Sequence, residues 1–281
     1  MEMINGDMLT EAKRKEERLF TWLGQQDAVA VAFSGGVDSV YLAWAAAKAV
    51  KNRALAITAC AHSLPQSELK EAQALAEQIG IAHEPFVFDE FQVPGFAQNP
   101  PDRCYHCKSA ILTRIKAIAA DHGITCVVEG SNADDDKDYR PGARAVKEQG
   151  IRSPLKEAEL TKAEIRLLSR MAGLPTWEKQ SAACLASRFA YGERITEEGL
   201  QMVEQAEDYL RELGFQGQLR VRIHGGNLAR IEVAEDQLAL LQDAGMRQRI
   251  TDKLKEIGFS YVTLDLKGYR MGSMNEVLET K

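Results

Sequence analysis

Ala28-Val29-Ala30-Val31-Ala32-Phe33, followed at once by Ser34-Gly35-Gly36-Val37-Asp38-Ser39, is the stretch on which the fold turns. The first six residues form a continuous apolar run of strand length, the pattern of a strand buried on both faces. The next six break that run with two glycines and open an Ala-rich helical stretch reaching about Val50. Helix N-termini present unpaired N–H groups and a partial positive charge, so a glycine turn feeding one suits an anion. No Gly-Lys-Ser/Thr follows, which excludes the usual Walker loop. An ordinary strand–turn–helix with glycines for geometry is the bland alternative, and the full hexapeptide weighs against it.

Outward from this stretch the pattern repeats. Residues 8–24 are charged and helical in character, Ala54–Cys60 is a second apolar run, and Pro65–Ile79 carries Leu69, Ala72, Leu75, Ala76 and Ile79 on one helical face. His83–Phe88 is a third strand candidate, Gly95–Arg103 a Pro-rich loop, Cys107–Ala120 a helix and Thr125–Val128 a fourth strand. Strands alternating with helices indicate parallel βαβ units and an open α/β sheet. Thr161–Met171 is a further helix with a Thr161-x-x-Glu164 capping box. Beyond a boundary at Gly192–Thr196, a helix ending at Gly214 precedes two strands, Leu219–Ile223 and Ala229–Val233, joined by Gly225-Gly226-Asn227. A charged helix to about Ile257 and a strand Tyr261–Leu266 complete a small α+β unit.

The 281 residues allow one large domain or two ordinary ones. With 45% apolar and 27% charged residues the chain has a globular mixture, not that of a disordered or collagen-like one. A net charge of -6 argues against a general polyanion binder, so no nucleic-acid partner is expected. No apolar run approaches the roughly 20 residues of a membrane span. Met1–Asp7 lacks the basic start and apolar core of a signal peptide. Five cysteines, an odd number, argue against a disulfide framework, and a cytoplasmic location is expected.

Three further groups carry chemistry. Glu129-Gly130-Ser131-Asn132-Ala133-Asp134-Asp135-Asp136 follows the fourth strand. In an open α/β sheet ligands bind beyond the carboxyl ends of the strands, so this loop should face the same crevice as Ser34–Ser39. A solvated acidic turn is the alternative for Asp135 and Asp136. Asp38 would repel bare phosphate, which points to a Mg²⁺ partner. Cys104-Tyr105-His106-Cys107 is a Cys-x-x-Cys pair, with Cys184 a third candidate ligand. Beyond the Cys104–Cys107 pair tetrahedral zinc would need two further ligands, of which His106 is conceivable but sterically awkward, whereas three thiolates suit a [4Fe–4S] cluster with one open iron. Cys60 and Cys126 lie in apolar runs and read as packing thiols. Arg220 and Arg222, two apart on a strand, share a face and make a fork for a phosphate, or else a solvated strand face.

Ser34–Ser39 resembles the PP-loop of the ATP pyrophosphatase superfamily, whose enzymes split ATP between the α- and β-phosphates and adenylate an acceptor. Gly130–Asp135, Asp138-Tyr139-Arg140-Pro141-Gly142, Ala183-Cys184-Leu185-Ala186-Ser187-Arg188, Tyr191-Gly192, Leu219–His224 and Tyr261–Leu266 extend the likeness over nearly the whole chain. Together they resemble the LarE family, ATP-dependent sulfur transferases that mature the nickel-pincer cofactor of lactate racemase. The resemblance implies a PP-loop (adenine nucleotide alpha hydrolase-like) open parallel sheet over 1–190. It implies a smaller C-terminal α+β domain over 191–281 for substrate binding or oligomerisation, and a homo-oligomer.

By the same resemblance ATP is held by Ser34, Gly35, Gly36, Val37, Asp38, Ser39 and Gly130. The acceptor is a carboxylate of pyridinium-3,5-biscarboxylic acid mononucleotide, and its phosphate meets Ser187, Arg188, Arg220 and Arg222. Cys184 supplies the sulfur in one of two modes. It gives up its own sulfur, or three cysteines hold a [4Fe–4S] cluster carrying an extra sulfide. Sacrificial forms lack the Cys-x-x-Cys pair, so the expectation here is a cluster on Cys104, Cys107 and Cys184. The rivals are a PP-loop tRNA thiolase, which would want a basic surface, an ammonia-using synthetase, which has no use for the cysteines, and a nucleotide-sensing or zinc-stapled module, which would bind ATP without releasing pyrophosphate.

Overall fold

The computed structural model describes residues 6–137, 141–180 and 183–275, so Asp138, Tyr139 and Arg140 of the expected motif lie outside the described residues. The chain packs as two units, one of Met1–Val93 with Asp102–Ala182 and one of Pro94–Pro101 with Ala183–Lys281.

The first unit runs α1 (Gly6–Gly24), β1 (Val29–Ala32), α2 (Val37–Val50), β2 (Ala54–Cys60), α3 (Gln66–Ile79), β3 (Ala82–Val87), α4 (Arg103–Asp121), β4 (Cys126–Val128), α5 (Pro141–Glu148), α6 (Pro154–Glu157) and α7 (Lys162–Met171). Its four strands form a parallel sheet in the order β3-β2-β1-β4. The unbroken apolar run of β1 is explained by two cores. Val29 and Val31 pack with residues of α1, α2 and α7, while Ala30 turns to the opposite face with Leu112 and Ile115 of α4 and Ala145 of α5. Alternate side chains of one strand therefore enter different cores, and both faces must be apolar. Each fully buried Val, Leu or Ile contributes about 1.5–3 kcal/mol of transfer free energy.

β1 leads to β2 on one side, and β4 lies on its other side. The reversal of strand order opens a crevice at the carboxyl ends of β1 and β4, where ligands of such sheets bind. Arg152 extends the β4 edge by one parallel bridge to Val128. The capping box at α7 forms as expected, with Thr161 Oγ1 accepting from Glu164 N and Thr161 N donating to Glu164 Oε2 at 2.8 Å.

The second unit holds α8 (Glu197–Glu212), β5 (Leu219–His224), β6 (Leu228–Val233), α9 (Ala244–Ile257) and β7 (Tyr261–Leu264). β5 and β6 form an antiparallel hairpin, and β7 joins β6 in parallel after the α9 crossover. The last strand stops at Leu264, two residues short of the expected Leu266, because Asp265 and the residues after it turn away: Asp265 Oδ1 accepts Lys267 N, and Gly268 N donates to Asp265 O. Leu200, Val203, Ala206 and Leu210 of α8 face the core of this unit. The Pro-rich segment belongs here too. Asn99 is fully buried and donates through Nδ2 to the carbonyls of Phe189 and Ala190, while its own carbonyl accepts Gly192 N.

Candidate active site

Gly36 caps α2 in an extended conformation with no side-chain cap. The first-turn amides of α2 therefore receive no acceptor from the capping residue, the state in which a helix start binds anions. Gly35 has φ +73°, and a Cβ there would lie 3.2 Å from Ala72 Cβ of α3. Glycine is needed for both the backbone and the space. Ser39 Oγ belts the turn together. It accepts Ser34 N at 3.2 Å, donates to Gly36 O at 3.0 Å and lies 3.1 Å from Ser34 Oγ.

The loop after β4 abuts this turn. A Cβ on Gly130 would stand 3.0 Å from Ser39 N and 3.3 Å from Asp38 C and Cβ. Asp134 and Asp135, which follow, are not part of a freely solvated turn. Asp134 N donates to Asn132 Oδ1, Asn132 N to Asp135 Oδ2 and Ala133 N to Leu160 O, all at 2.9–3.0 Å. Asp134 Oδ2 accepts the backbone N–H of Lys162.

Asp38 has two unlike oxygens. Oδ2 pairs with Lys162 Nζ, whereas Oδ1 is buried with no hydrogen-bond partner. Burial pushes the Asp38 carboxyl up from the ordinary carboxylate range, with Asp135 adding to it, against the opposing pull of Lys162 and Arg166. A buried carboxylate oxygen without a donor suits a cation that arrives with the ligand. Glu129 behaves oppositely. Burial alone would raise it, but Lys108, Ser153 and the Ser131 N–H more than offset that and hold it below the usual range.

The cations around the turn leave little local signal in the sequence. Lys162 is the first residue of α7, so the capping box could have placed its backbone but not its partner. Lys179 donates to Gly35 O at 3.2 Å, and nothing local in the sequence signals it. Lys108 lies one residue after Cys107 and pairs with Glu129, 21 residues along the chain.

Helix α4 begins at Arg103, not at the expected Cys107, so Cys104 lies in its first turn and Cys107 one turn further on. Tyr105 N donating to Asp102 O starts the turn earlier than the Pro-rich composition suggests. Cys104 is exposed and accepts from Arg103 Nη2 at 3.4 Å. It lines an open cleft of about 860 Å³ with Lys108, Ser131 and Asp135. Cys60 and Cys126 are half-buried and burial pushes both thiols up, as packing thiols require. None of the five cysteines is in a disulfide. Cys104 and Cys107 belong to the first unit and Cys184 to the second. Among the described residues, no three of His, Cys, Asp and Glu form a group that could hold a metal, so the expected three-cysteine centre is not found.

In the second unit Cys184 is exposed and caps a short 3-10 turn, Leu185–Arg188. Its carbonyl accepts Ser187 N at 2.9 Å and Arg188 Nη1 at 3.1 Å. Arg188 is itself buried and bound through Nε and Nη2 to Glu207, each at 2.8 Å. Arg222 ties the turn to the sheet, donating to Ser187 O at 3.0 Å and to Glu232 Oε2 at 2.8 Å. Arg220 and Arg222 are 6% and 5% exposed, which rules out a solvated strand face. Burial, with Arg188 close by, lowers Arg220 to about 10, so it remains a cation at neutral pH. Three arginines and an exposed thiol on a braced turn are thus gathered in this unit.

No helix among the described residues is long and apolar enough to cross a membrane. Residues 8–92 match the model of the PP-loop domain. An uncharacterised protein of Synechocystis is 46% identical over 94% of this chain and 98% of its own length. An uncharacterised protein of Methanocaldococcus jannaschii is 28% identical over 86% and 90%. The pyridinium-3,5-bisthiocarboxylic acid mononucleotide synthase of Lactiplantibacillus plantarum is 36% identical over 94% of this chain and 95% of its own. With an ATP-type phosphate turn at the head of α2, and likeness to that synthase from end to end, the chain belongs to the LarE family of PP-loop sulfurtransferases.

Proposed function

We propose that the enzyme adenylates a carboxylate of pyridinium-3,5-biscarboxylic acid mononucleotide and replaces a carboxylate oxygen by sulfur. The substrate is inferred from the product in the Lactiplantibacillus plantarum relative's name. In the first step a carboxylate oxygen attacks the α-phosphorus of ATP, the bond to the bridging oxygen breaks, and pyrophosphate leaves. The Ser34–Ser39 amides receive the phosphates, and Gly130 leaves Ser39 N unobstructed. Asp38 Oδ1, buried and without a donor, fits Mg²⁺. Bound there, Mg²⁺ would offset the charge of the departing phosphates. Asp135 is the neighbouring carboxylate.

The observation that carries the sulfur step is the bracing of Cys184. Its thiol is exposed while its carbonyl is held by a buried arginine, so the nucleophile stands on a fixed base. Thiolate attack on the acyl adenylate expels AMP and leaves a thioester. Loss of the Cys184 Cα proton with cleavage of the Cβ–S bond then frees the thiocarboxylate and leaves dehydroalanine. Arg220 and Arg222, with Ser187 and Arg188 beside them, take the substrate phosphate, and the protein works as a homo-oligomer.

The Cys104–Cys107 pair, one turn apart on α4, favours a second reading, a [4Fe–4S] cluster completed by Cys184 and carrying the transferable sulfide. The described residues do not assemble that ligand set, so no step is routed through it. One experiment separates the two. Anaerobically purified protein is examined by absorption spectroscopy and by intact mass after reaction. Loss of the mass of hydrogen sulfide from a colourless protein supports the sacrificial route, with Cys104→Ala and Cys107→Ala retaining one turnover. A brown protein of unchanged mass, in which any of the three substitutions removes colour and transfer, supports the cluster. ATP bound without pyrophosphate release in the presence of substrate would overturn both.

A further inference from the structure

Lys179 of the first unit lies against the nucleotide turn. Its side chain is only 14% exposed, and its ammonium has three acceptors: Glu68 Oε2 at 2.7 Å, Glu71 Oε2 at 2.8 Å and Gly35 O at 3.2 Å. An ammonium has three protons, so this set uses all of them. The two carboxylates leave the cluster with a net negative charge, which would repel a phosphate rather than attract one. Lys179 is therefore not a direct phosphate ligand. Its base is fixed as well, since Lys179 N donates to Thr176 O at 2.9 Å and Lys179 O accepts Arg166 Nη2 of α7 at 2.7 Å.

What Lys179 does grip is one peptide of the nucleotide turn. In a trans peptide the C=O and the following N–H point in opposite directions. Holding Gly35 O toward α3 turns the Gly36 N–H the other way. Gly35 sits at φ +73°, where a glycine peptide can rotate at little cost, so its orientation needs an outside restraint. Glu68 and Glu71 lie on the same stretch of α3 as Ala72, which closes against Gly35.

We propose that Lys179 is a positioning residue of the nucleotide loop, fixing the Gly35–Gly36 peptide so that the Gly36 N–H faces the β- and γ-phosphates. This rests on the reading of Ser34–Ser39 as the phosphate-binding turn. It also gives the residues leading to Cys184 a task in nucleotide binding, because Lys179 lies five positions before that cysteine in the chain.

The test is calorimetric titration of wild type, Lys179→Met and Lys179→Arg with AMP, inorganic pyrophosphate and α,β-methylene ATP, each with Mg²⁺. Lys179→Met should weaken pyrophosphate and the ATP analogue about tenfold, the loss of one charge-facing hydrogen bond, and leave AMP unchanged. Lys179→Arg, which can still reach the Gly35 carbonyl, should recover most of the loss. Equal weakening of AMP and pyrophosphate, or of neither, overturns the proposal. Should Lys179→Met fail to fold, amide exchange at Gly36 in the wild type decides. Protection on adding pyrophosphate supports the role, and unchanged exchange in pyrophosphate-saturated protein overturns it. Wild type that binds AMP but not pyrophosphate would instead overturn the phosphate-turn reading itself.

Discussion

Replacing Glu207 by Gln removes the charge that neutralises Arg188 inside the second unit. Both side chains are no more than 3% exposed, and two hydrogen bonds of 2.8 Å join them. Glu207 Oε1 also accepts Val221 N of β5 at 3.0 Å. Solvent screening, which makes surface pairs nearly worthless, does not operate here. Breaking a buried pair by removing one partner costs about 3–5 kcal/mol, because the remaining charge is stranded. For a chain of this size that lowers Tm by roughly 6–20 °C. Calorimetry is the right assay, because Trp22, Trp44 and Trp177 all lie in the first unit and tryptophan fluorescence would miss a loss confined to the second.

A double variant, Arg188→Met with Glu207→Leu, separates stability from function. It removes both charges, so it should recover most of the stability while losing sulfur transfer, since the Cys184 carbonyl then keeps only the Ser187 N–H and loses the buried arginine that braces it. The pH dependence has a defined sign. Burial alone would raise Glu207, yet Arg188 and the Val221 N–H hold it below 4.5. A depressed folded-state value means stability fully present above pH 4.5 and lost as pH falls through that lower value. The double variant should lose less stability below pH 4.5 than wild type. A Tm for Glu207→Gln within about 2 °C of wild type, or a double variant less stable than the single, would refute this account of the pair.

Asp38→Asn should abolish pyrophosphate release yet leave the Tm of the nucleotide-free protein equal or higher at pH 7, because a carboxyl whose folded value is raised destabilises when ionised; a clear fall in Tm would show that the Lys162 pair outweighs burial. Gly130→Ala places a methyl 3.0 Å from Ser39 N, where the neighbour is backbone and cannot swing aside; pyrophosphate release should fall on the order of 100-fold, and a loss under threefold would mean that the two loops separate freely. Arg220→Lys keeps the charge but loses the planar fork. Substrate affinity should drop about tenfold with ATP affinity unchanged, whereas equal weakening of both would remove Arg220 from the phosphate site.

The parts of this fold that sequence makes plain are those set by local periodicity. The Ala28–Phe33 run, the glycine turn and the α2 stretch each follow from burial on two faces and from the chemistry of a helix start. The capping box at Thr161 was equally legible. What escaped depends on partners far along the chain. Lys162 meets Asp38 across 124 residues, and Lys179 meets Gly35 across 144, so no window of sequence contains either pair. Helices α5 and α6, of eight and four residues, are too short for a 3.6-residue period to emerge. Cys104 and Cys107 were visible as a motif, but spacing alone could not tell which unit's chemistry they serve.

The assignment of Pro94–Pro101 to the second unit bears on how this enzyme can be taken apart. A gene fragment beginning at Ala183 encodes every strand and helix of that unit but omits Asn99, whose amide and carbonyl close the Phe189–Gly192 backbone. Such a fragment would leave those groups without their partners, and a fragment ending at Ala182 would carry a stranded Pro-rich insertion. The two halves are therefore poor cassettes for recombination. A chimera that takes its C-terminal half from a relative must exchange the distant eight-residue segment as well, and split-protein complementation is best attempted with that segment supplied on the C-terminal piece.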